Sequence, residues 1–214
     1  MTDALTFLPP WAVLAPFLAA ALALNLTPGA DMTYVMARAV AQGRRAGLVS
    51  ALAITAGSLV HTLAAVVGLS AVVLASPLAF QTIKYLGAAY LLYLGVKLIL
   101  ARPEPPGTGV RAHRLPRVFW EGVLVNVLNP KVALFILAFL PQFVDPARGQ
   151  VPLQILVLGT LFNLGGTLVN LGVAQIASAG AARLQHATRF QRAMNVLAGT
   201  ILGGLALRLA FTSR

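Results

Sequence analysis

The sequence predicts an all-α, polytopic membrane protein in which six transmembrane helices form two inverted three-helix repeats. The chain has 214 residues, of which 58% are hydrophobic and only 10% are charged, and its mean hydropathy is +0.84. Soluble domains carry about 25% charged residues, whereas apolar runs of about 20 residues are typical of membrane helices. No Asp, Glu, Lys or Arg occurs from Ala46 to Ile83 or from Gly149 to Ala182. Runs of this length exclude an ordinary soluble core.

The charge and cysteine content exclude several functions. The net charge of +11 does not indicate nucleic-acid binding, because the basic residues lie in short segments between the apolar runs. The chain has no cysteine, which excludes disulfides, thiolate metal ligands and thiol redox chemistry. We predict no cofactor and no metal site. The start, Met1-Thr2-Asp3, carries no positive region, so we expect the first apolar run to remain in the protein.

The apolar runs define six predicted membrane segments. They span Trp11 to Ala41, Ala46 to Leu74, Phe80 to Leu100, Phe119 to Phe143, Pro152 to Ala181 and Ala193 to Ala210. A continuous helix over the first run would be about 45 Å long, whereas a bilayer core is about 30 Å thick. A break at Thr27-Pro28-Gly29 would relieve this excess length.

The basic residues predict the orientation of the segments. The loops after segments one, three and five hold eleven of the sixteen Lys and Arg residues, Arg38 among them, and the opposite side holds four. Because basic loops stay in the cytoplasm, we expect both termini on the periplasmic side of a bacterial inner membrane. Lys131 belongs to neither side.

A proline-rich cytoplasmic linker, residues 102–118, separates a first repeat (1–101) from a second (119–214). Three matches occur in the same order in both halves: Pro28 with Pro130, 57–61 with 166–170, and 86–88 with 197–199. Since each half has three segments, the two copies must insert with opposite orientations. Inverted repeats with broken helices are typical of transporters, whose substrate site lies near the membrane midplane.

Pro28 and Pro130 each interrupt an apolar run and are followed by a charged residue. Proline removes a helical hydrogen bond, so each proline predicts a broken helix that forms part of a functional site. At Pro28 the alternative is a kink that serves helix packing alone. Asp31 is the only acid well inside the first five segments, and an intramembrane charge is costly and usually functional. It could bind a substrate ammonium, carry a proton, or cap the second half-helix. Lys131 could hold a substrate carboxylate, pair with Asp31, or snorkel to the interface.

Polar residues flank both breaks. Gly29 permits unusual backbone angles, and amide side chains at a break can either satisfy freed backbone groups or contact substrate. The predicted substrate-binding set is Asp31, Lys131, Pro28, Gly29, Asn129, Pro130, Asn25 and Asn126. Shared helix faces add a second layer, which comprises His61, Ser58, Asn163 and Asn170. His61 could relay protons or be a hydrogen-bonded structural residue.

Several of these segments resemble one protein family. Asn25-Leu26-Thr27-Pro28-Gly29-Ala30-Asp31 resembles the Pro-Gly-Pro-Asp segment of the lysine-exporter and homoserine–threonine-exporter (LysE/RhtB) family of bacterial amino-acid exporters. Residues 43–47, 85–91 and 129–131 resemble its other recurrent segments in the same order. The resemblance implies a six-helix inner-membrane exporter driven by the proton gradient. It carries site roles over to Pro28, Gly29, Asp31, Asn129, Pro130 and Lys131. Ala30 departs from the family, which often has a second proline there.

The sequence favours export of a zwitterion by proton antiport with alternating access. The substrate ammonium would lie near Asp31 and its carboxylate near Lys131. The alternative is a cation or metal efflux transporter, which the lack of cysteine and the positive Lys131 disfavour. An enzyme is not predicted, because one Asp and a lone His61 do not supply a paired catalytic set. Gly199 and Gly203 indicate close internal packing or, alternatively, a homodimer face.

Overall fold

The computed structural model describes residues 9–71, 77–100, 111–179 and 187–211, and within these ranges all regular structure is helical. The α-helices are α1 (Trp11–Leu26), α2 (Ala30–Gln42), α3 (Arg44–Ala64), α4 (Pro77–Leu100), α5 (Leu115–Val127), α6 (Pro130–Leu134), α7 (Val151–Ser178) and α8 (Ala187–Phe211). A π-helical turn (Ala65–Leu69) continues α3. A π-helical turn (Phe135–Phe139) and a 3-10 turn (Leu140–Phe143) continue α6, and another 3-10 turn covers Pro146–Arg148.

Two single helices among the described residues are long and apolar enough to cross a membrane, Arg44–Leu69 and Val151–Ser178. Two bent helix pairs also qualify when each is taken as one span. The described chain therefore contains two to four candidate spans, and the six-segment count stays a prediction. Segments three and six correspond to α4 and α8. The predicted ends at Leu74 and Ala181 lie outside the described residues, as does the linker from 102 to 110.

Both bent pairs have axes that differ by 47°. In the first pair, α1 ends at Leu26 and α2 begins at Ala30. In the second, α5 ends at Val127 and α6 begins at Pro130, whose missing N–H is no loss at the first helical position. Asn129 caps α6, since its Oδ1 accepts a hydrogen bond of 3.0 Å from the Lys131 backbone N–H.

A cluster of buried phenylalanines packs α1, the first helix of the first bent pair, and residues 135–143 of the second bent pair against α7. The Phe17 ring of α1 lies 5.2 Å from Phe143, and the Phe135 ring lies 4.8 Å from Phe162 of α7, measured between centroids. Phe17, Phe135 and Phe139 are fully buried. Aromatic pairs at such separations add about 0.5–1.5 kcal/mol beyond the area that they bury. This cluster lies about three turns from the first break along α1 and about two turns from the second break along α6 and the turn that continues it, and it helps to position both.

Gly199 of α8 packs closely inside the chain. A Cβ atom added at Gly199 would lie 2.6 Å from the carbonyl oxygen of Gly95 on α4, and one added at Gly95 would lie 3.2 Å from the Gly203 nitrogen. The two helices form the most extensive helix pair in the described fold. Internal packing, the first of the two interpretations of Gly199 and Gly203, therefore accounts for this pair, and the homodimer stays a prediction.

One predicted boundary and the expected position of one basic residue differ from the structure. Helix α5 begins at Leu115, so the linker predicted to run to residue 118 ends four residues earlier. Arg38 was expected in a cytoplasmic loop, but it lies in α2 and is only 5% exposed. The reason is a carboxylate on α5: Glu121 accepts a 2.5 Å ion-paired hydrogen bond from the Arg38 guanidinium. Glu121 is 83 residues from Arg38 in the sequence, so counting the basic residues of the loops could not predict this ion pair.

Candidate functional site

Lys131 reaches from the second helix break to the first. Its Nζ donates hydrogen bonds to the carbonyl oxygens of Leu24 (3.3 Å) and Thr27 (3.0 Å), at the end of α1. The last carbonyls of a helix lack intrahelical partners and carry partial negative charge, so an ammonium is favoured there. Gly29 leaves room for it, because a Cβ on Gly29 would lie 3.1 Å from Nζ. The second half of the chain therefore caps the broken helix of the first.

Asp31 lies in the first turn of α2 and is 7% exposed. Its Oδ2 accepts a 3.0 Å hydrogen bond from Nδ2 of Asn126, which belongs to the second half of the chain. Its Oδ1 has no hydrogen-bond partner in the described part of the chain. Asp31 and Lys131 make no ion pair within 4.0 Å, since the described ion pairs are all elsewhere. Asp31 thus has one buried carboxylate oxygen without full hydrogen-bond geometry, and the Asn129 amide interacts with the same carboxylate.

Each break places an asparagine against a glycine of the other half. A Cβ on Gly57 of α3 would lie 2.7 Å from Asn126 Cβ, and one on Gly166 of α7 would lie 3.0 Å from Asn25 Oδ1. Asn25 also donates a 3.1 Å hydrogen bond to the Phe162 carbonyl. Gly57 and Gly166 are the residues that the sequence matched between the repeats. The close approach of helices therefore follows the same pattern at both breaks.

Two adjoining cavities lie between these helices. The first has a volume of about 30 Å³ and is lined by residues of both halves; the polar ones are Asn25, Asp31, Thr55, Ser58, Asn126, Asn163, Thr167 and Asn170, and the others are Ile54, Val132, Phe162 and Gly166. The second, of about 20 Å³, is lined by Asp31 and Lys131 and shares Asn25, Asn170 and Phe162 with the first. Small-molecule sites typically measure about 300–1,000 Å³, so each cavity has room for one small polar group, and a whole metabolite needs a wider conformation of the cleft.

The structure brings most of the predicted residues together. Asn25, Asp31 and Asn170 line both cavities, Lys131 lines the second, and Ser58, Asn126 and Asn163 line the first. His61 lines neither of the described cavities, and its Nε2 lies 3.1 Å from the Asn126 carbonyl oxygen. Pro28, Gly29, Asn129 and Pro130 form the breaks around the cavities and are not among the lining residues described.

Sequence analysis missed two polar groups. Thr55 of α3 and Thr167 of α7 both line the first cavity, and their hydroxyl oxygens are hydrogen-bonded at 2.7 Å. Threonines at helical spacing are common, so only the fold distinguishes these two. Glu121 is the second: it binds Arg38, His113 (3.1 Å) and Arg117 (2.8 Å) at one end of the bent pairs. Glu121 follows the predicted start of segment four closely and was not weighed as an intramembrane acid.

The fold and the site define a multi-pass helical membrane protein with a buried, charged cleft where two bent helix pairs meet. A carboxylate and an ammonium that share a cavity without pairing can bind a dipolar small molecule. The chain belongs to the LysE type translocator family, whose model matches residues 22–213. The family and the named relatives indicate a transporter rather than an enzyme.

The relatives cover almost the whole chain. YrhP of Bacillus subtilis (strain 168), named an uncharacterized membrane protein, is 32% identical over 193 residues, which are 86% of this chain and 91% of YrhP. An uncharacterized membrane protein of Vibrio cholerae is 32% identical over 196 residues, which are 91% of this chain and 94% of the relative. The leucine efflux protein of Salmonella typhimurium is 26% identical over 200 residues, 91% of this chain and 92% of the relative. No solved structure matches.

Proposed function

We propose that this protein exports amino acids or close derivatives by proton antiport across the inner membrane of a bacterium. The observation that carries the proposal is the cavity lined by both Asp31 and Lys131, in which Asp31 Oδ1 has no partner among the described residues. Family membership and the leucine efflux relative support the substrate class. Lys131 in the same cavity disfavours a metal cation as cargo.

A zwitterionic substrate fits the two charges. Its ammonium binds Asp31, and its carboxylate takes the Lys131 ammonium away from the carbonyl oxygens of Leu24 and Thr27. A carboxylate is a stronger acceptor than a peptide carbonyl, so this exchange of partners is favourable. Because it frees the end of α1, substrate binding is linked to the geometry of the first break.

Proton coupling follows from the same carboxylate. A protonated Asp31 is neutral and binds an ammonium weakly, so protonation from outside releases the substrate and proton entry drives export. Coupling requires the proton and the substrate to favour different conformations, since a ligand with equal affinity for both shifts nothing. The two conformations arise by motion of one inverted repeat, 1–101, against the other, 119–214. The matched approaches at Gly57 and Gly166 support this pseudosymmetry.

The test is efflux from proteoliposomes loaded with a panel of radiolabelled amino acids, with a pH gradient imposed across the membrane. Wild type should export at least one of them faster when the gradient is present. Asp31→Asn should lose the gradient-dependent part, because an amide cannot carry the proton. Asp145→Asn is the matched control: Asp145 caps a short turn through a 3.1 Å hydrogen bond to the Ala147 N–H and lines neither described cavity. Gradient-driven export by Asp31→Asn at the wild-type rate contradicts the proposal.

A further inference from the structure

Four residues that line the first cavity each carry a buried polar atom without a hydrogen-bond partner among the residues that the structure describes. These atoms are Asp31 Oδ1, Ser58 Oγ, Asn126 Oδ1 and Asn163 Oδ1. The four residues are only 1–7% exposed. Buried polar atoms are nearly always hydrogen-bonded to protein or to water, so four such residues around one cavity mark a place where water or a polar group of a ligand binds.

The orientation of both amide groups is fixed by their other hydrogen bonds. Asn126 Nδ2 donates to the carboxylate of Asp31, which only accepts. Asn163 Nδ2 donates a hydrogen bond of 2.9 Å to Thr62 Oγ1, and the Thr62 hydroxyl in turn donates to the Ser58 carbonyl oxygen at 3.2 Å. Neither amide can therefore be flipped without placing two donors or two acceptors together. The oxygens, not the nitrogens, are the free atoms of both side chains.

Three of the four free atoms are thus acceptors, one of them negatively charged. A primary ammonium has three N–H donors and one positive charge, which matches Asp31 Oδ1, Asn126 Oδ1 and Asn163 Oδ1 in number and in sign. We propose that these oxygens bind the primary ammonium of the substrate, and that the protein therefore exports primary α-amino acids and rejects N-alkylated ones. This inference rests on the proposed function and specifies its substrate class.

The adjoining cavity supports the same placement. It shares Asp31 with the first cavity and adds Lys131, so an ammonium among the three oxygens leaves the substrate carboxylate on the side of Lys131. The Asn129 side-chain amide also interacts with Asp31, although neither Asn129 Nδ2 nor Asp31 Oδ1 has a partner with full hydrogen-bond geometry among the described residues. A substrate ammonium at Asp31 Oδ1 therefore competes with this weak contact.

An N-methyl group tests this arrangement directly. The experiment compares efflux from proteoliposomes of glycine with N-methylglycine, alanine with N-methylalanine and leucine with N-methylleucine. A secondary ammonium leaves one buried acceptor unpaired and puts a methyl group among polar atoms, so the primary member should be exported at least tenfold faster. Equal rates within an exported pair overturn the inference and leave the proposed function standing. Export of neither primary nor N-methyl amino acids means that the proposed function fails, and the inference fails with it.

Variants of the cavity separate ligand binding from folding. Asn163→Leu should slow export of the primary amino acid about tenfold and bring the ratio within the pair toward one. Ser58→Ala removes a hydroxyl that holds no other group, so it should fold normally and slow export a few-fold. The matched control is Asn195→Leu on α8, which removes another buried amide whose Oδ1 has no partner among the described residues; Asn195 lines neither described cavity. An unchanged ratio in Asn163→Leu contradicts the inference.

A sodium ion would use the same oxygens, so the assay includes a second arm. Replacing Na⁺ by N-methylglucamine on both sides of the membrane should leave export unchanged if the site holds the substrate ammonium. Loss of export under this replacement would assign the oxygens to a coupling cation and overturn the inference.

Discussion

Gly57→Ala tests the close approach of α3 and α5 at the second break. The new Cβ would lie 2.7 Å from Asn126 Cβ and 2.8 Å from the Val123 carbonyl oxygen. Carbon atoms in contact stay about 3.5 Å apart, so Asn126 must move by about 0.8 Å. Such overpacking costs about 1–3 kcal/mol, at the upper end here because a backbone carbonyl cannot rotate away. Alanine returns about 1 kcal/mol in helix propensity, so the net loss is about 2 kcal/mol.

The displacement also reaches the site. A shift of about 0.8 Å lengthens the Asn126–Asp31 hydrogen bond from 3.0 Å beyond the distance at which it still holds. Losing a hydrogen bond to a charged group costs about 1.5 kcal/mol or more, and this corresponds to about a tenfold loss of export.

Thermal unfolding of the detergent-purified protein and efflux from proteoliposomes measure the two effects. A net loss of about 2 kcal/mol lowers the melting temperature by about 4–8 °C in a chain of this size. Gly172→Ala is the control: its Cβ meets no described atom within 4 Å, so it should raise the melting temperature and leave export unchanged. If Gly57→Ala melts no lower than Gly172→Ala and exports at the wild-type rate, the described contact between α3 and α5 is wrong.

Three further predictions concern other contacts. Glu121→Gln should lower the free energy of unfolding by about 2–4 kcal/mol, because it leaves the buried Arg38 guanidinium without a carboxylate. The Arg117 side chain is 68% exposed, so Arg117→Ala should lower the free energy of unfolding by less than about 0.5 kcal/mol. Chemical denaturation measures both changes. Gly199→Ala, with a Cβ 2.6 Å from the Gly95 carbonyl oxygen, should lower the melting temperature, whereas Gly204→Ala, which meets no described atom within 4 Å, should not. Lys131→Met should abolish efflux, whereas Met at the exposed Lys97 should leave the efflux rate unchanged.

Part of this arrangement could be predicted from the sequence. Proline followed by a charge within an apolar run marked Asp31 and Lys131 without any structure, because both features are costly in a membrane helix. The seven-residue spacing of Asn163 and Asn170 placed them on one helix face, and both line the first cavity. The helical periodicity was sufficient to predict the helix face of these two asparagines, since both lie on the same regular helix.

The remaining contacts depend on pairings between distant segments. Lys131 binds carbonyl oxygens more than a hundred residues earlier. Every residue has a backbone carbonyl, so the sequence does not show which of them bind a side chain. Arg38 looked like a loop residue because its partner Glu121 lies on another helix. The roles of Gly57 and Gly166 likewise depend on which asparagine approaches them. Spacing along one helix shows which face a residue occupies, but not what that face contacts.

The Arg38–Glu121 pair has a mechanical consequence. It fastens α2, the second arm of one bent pair, to α5, the first arm of the other, and the Tyr34 hydroxyl adds a 2.6 Å hydrogen bond to the Val118 carbonyl. Arg38 and Gln42 also hold the carbonyls of Arg111 and His113, so the chain entering α5 is attached to α2 as well. While these bonds last, α2 of the first repeat and α5 of the second should move together. The proposed motion of one repeat against the other therefore has to break these bonds or change the bend at residues 27–29 and 128–129.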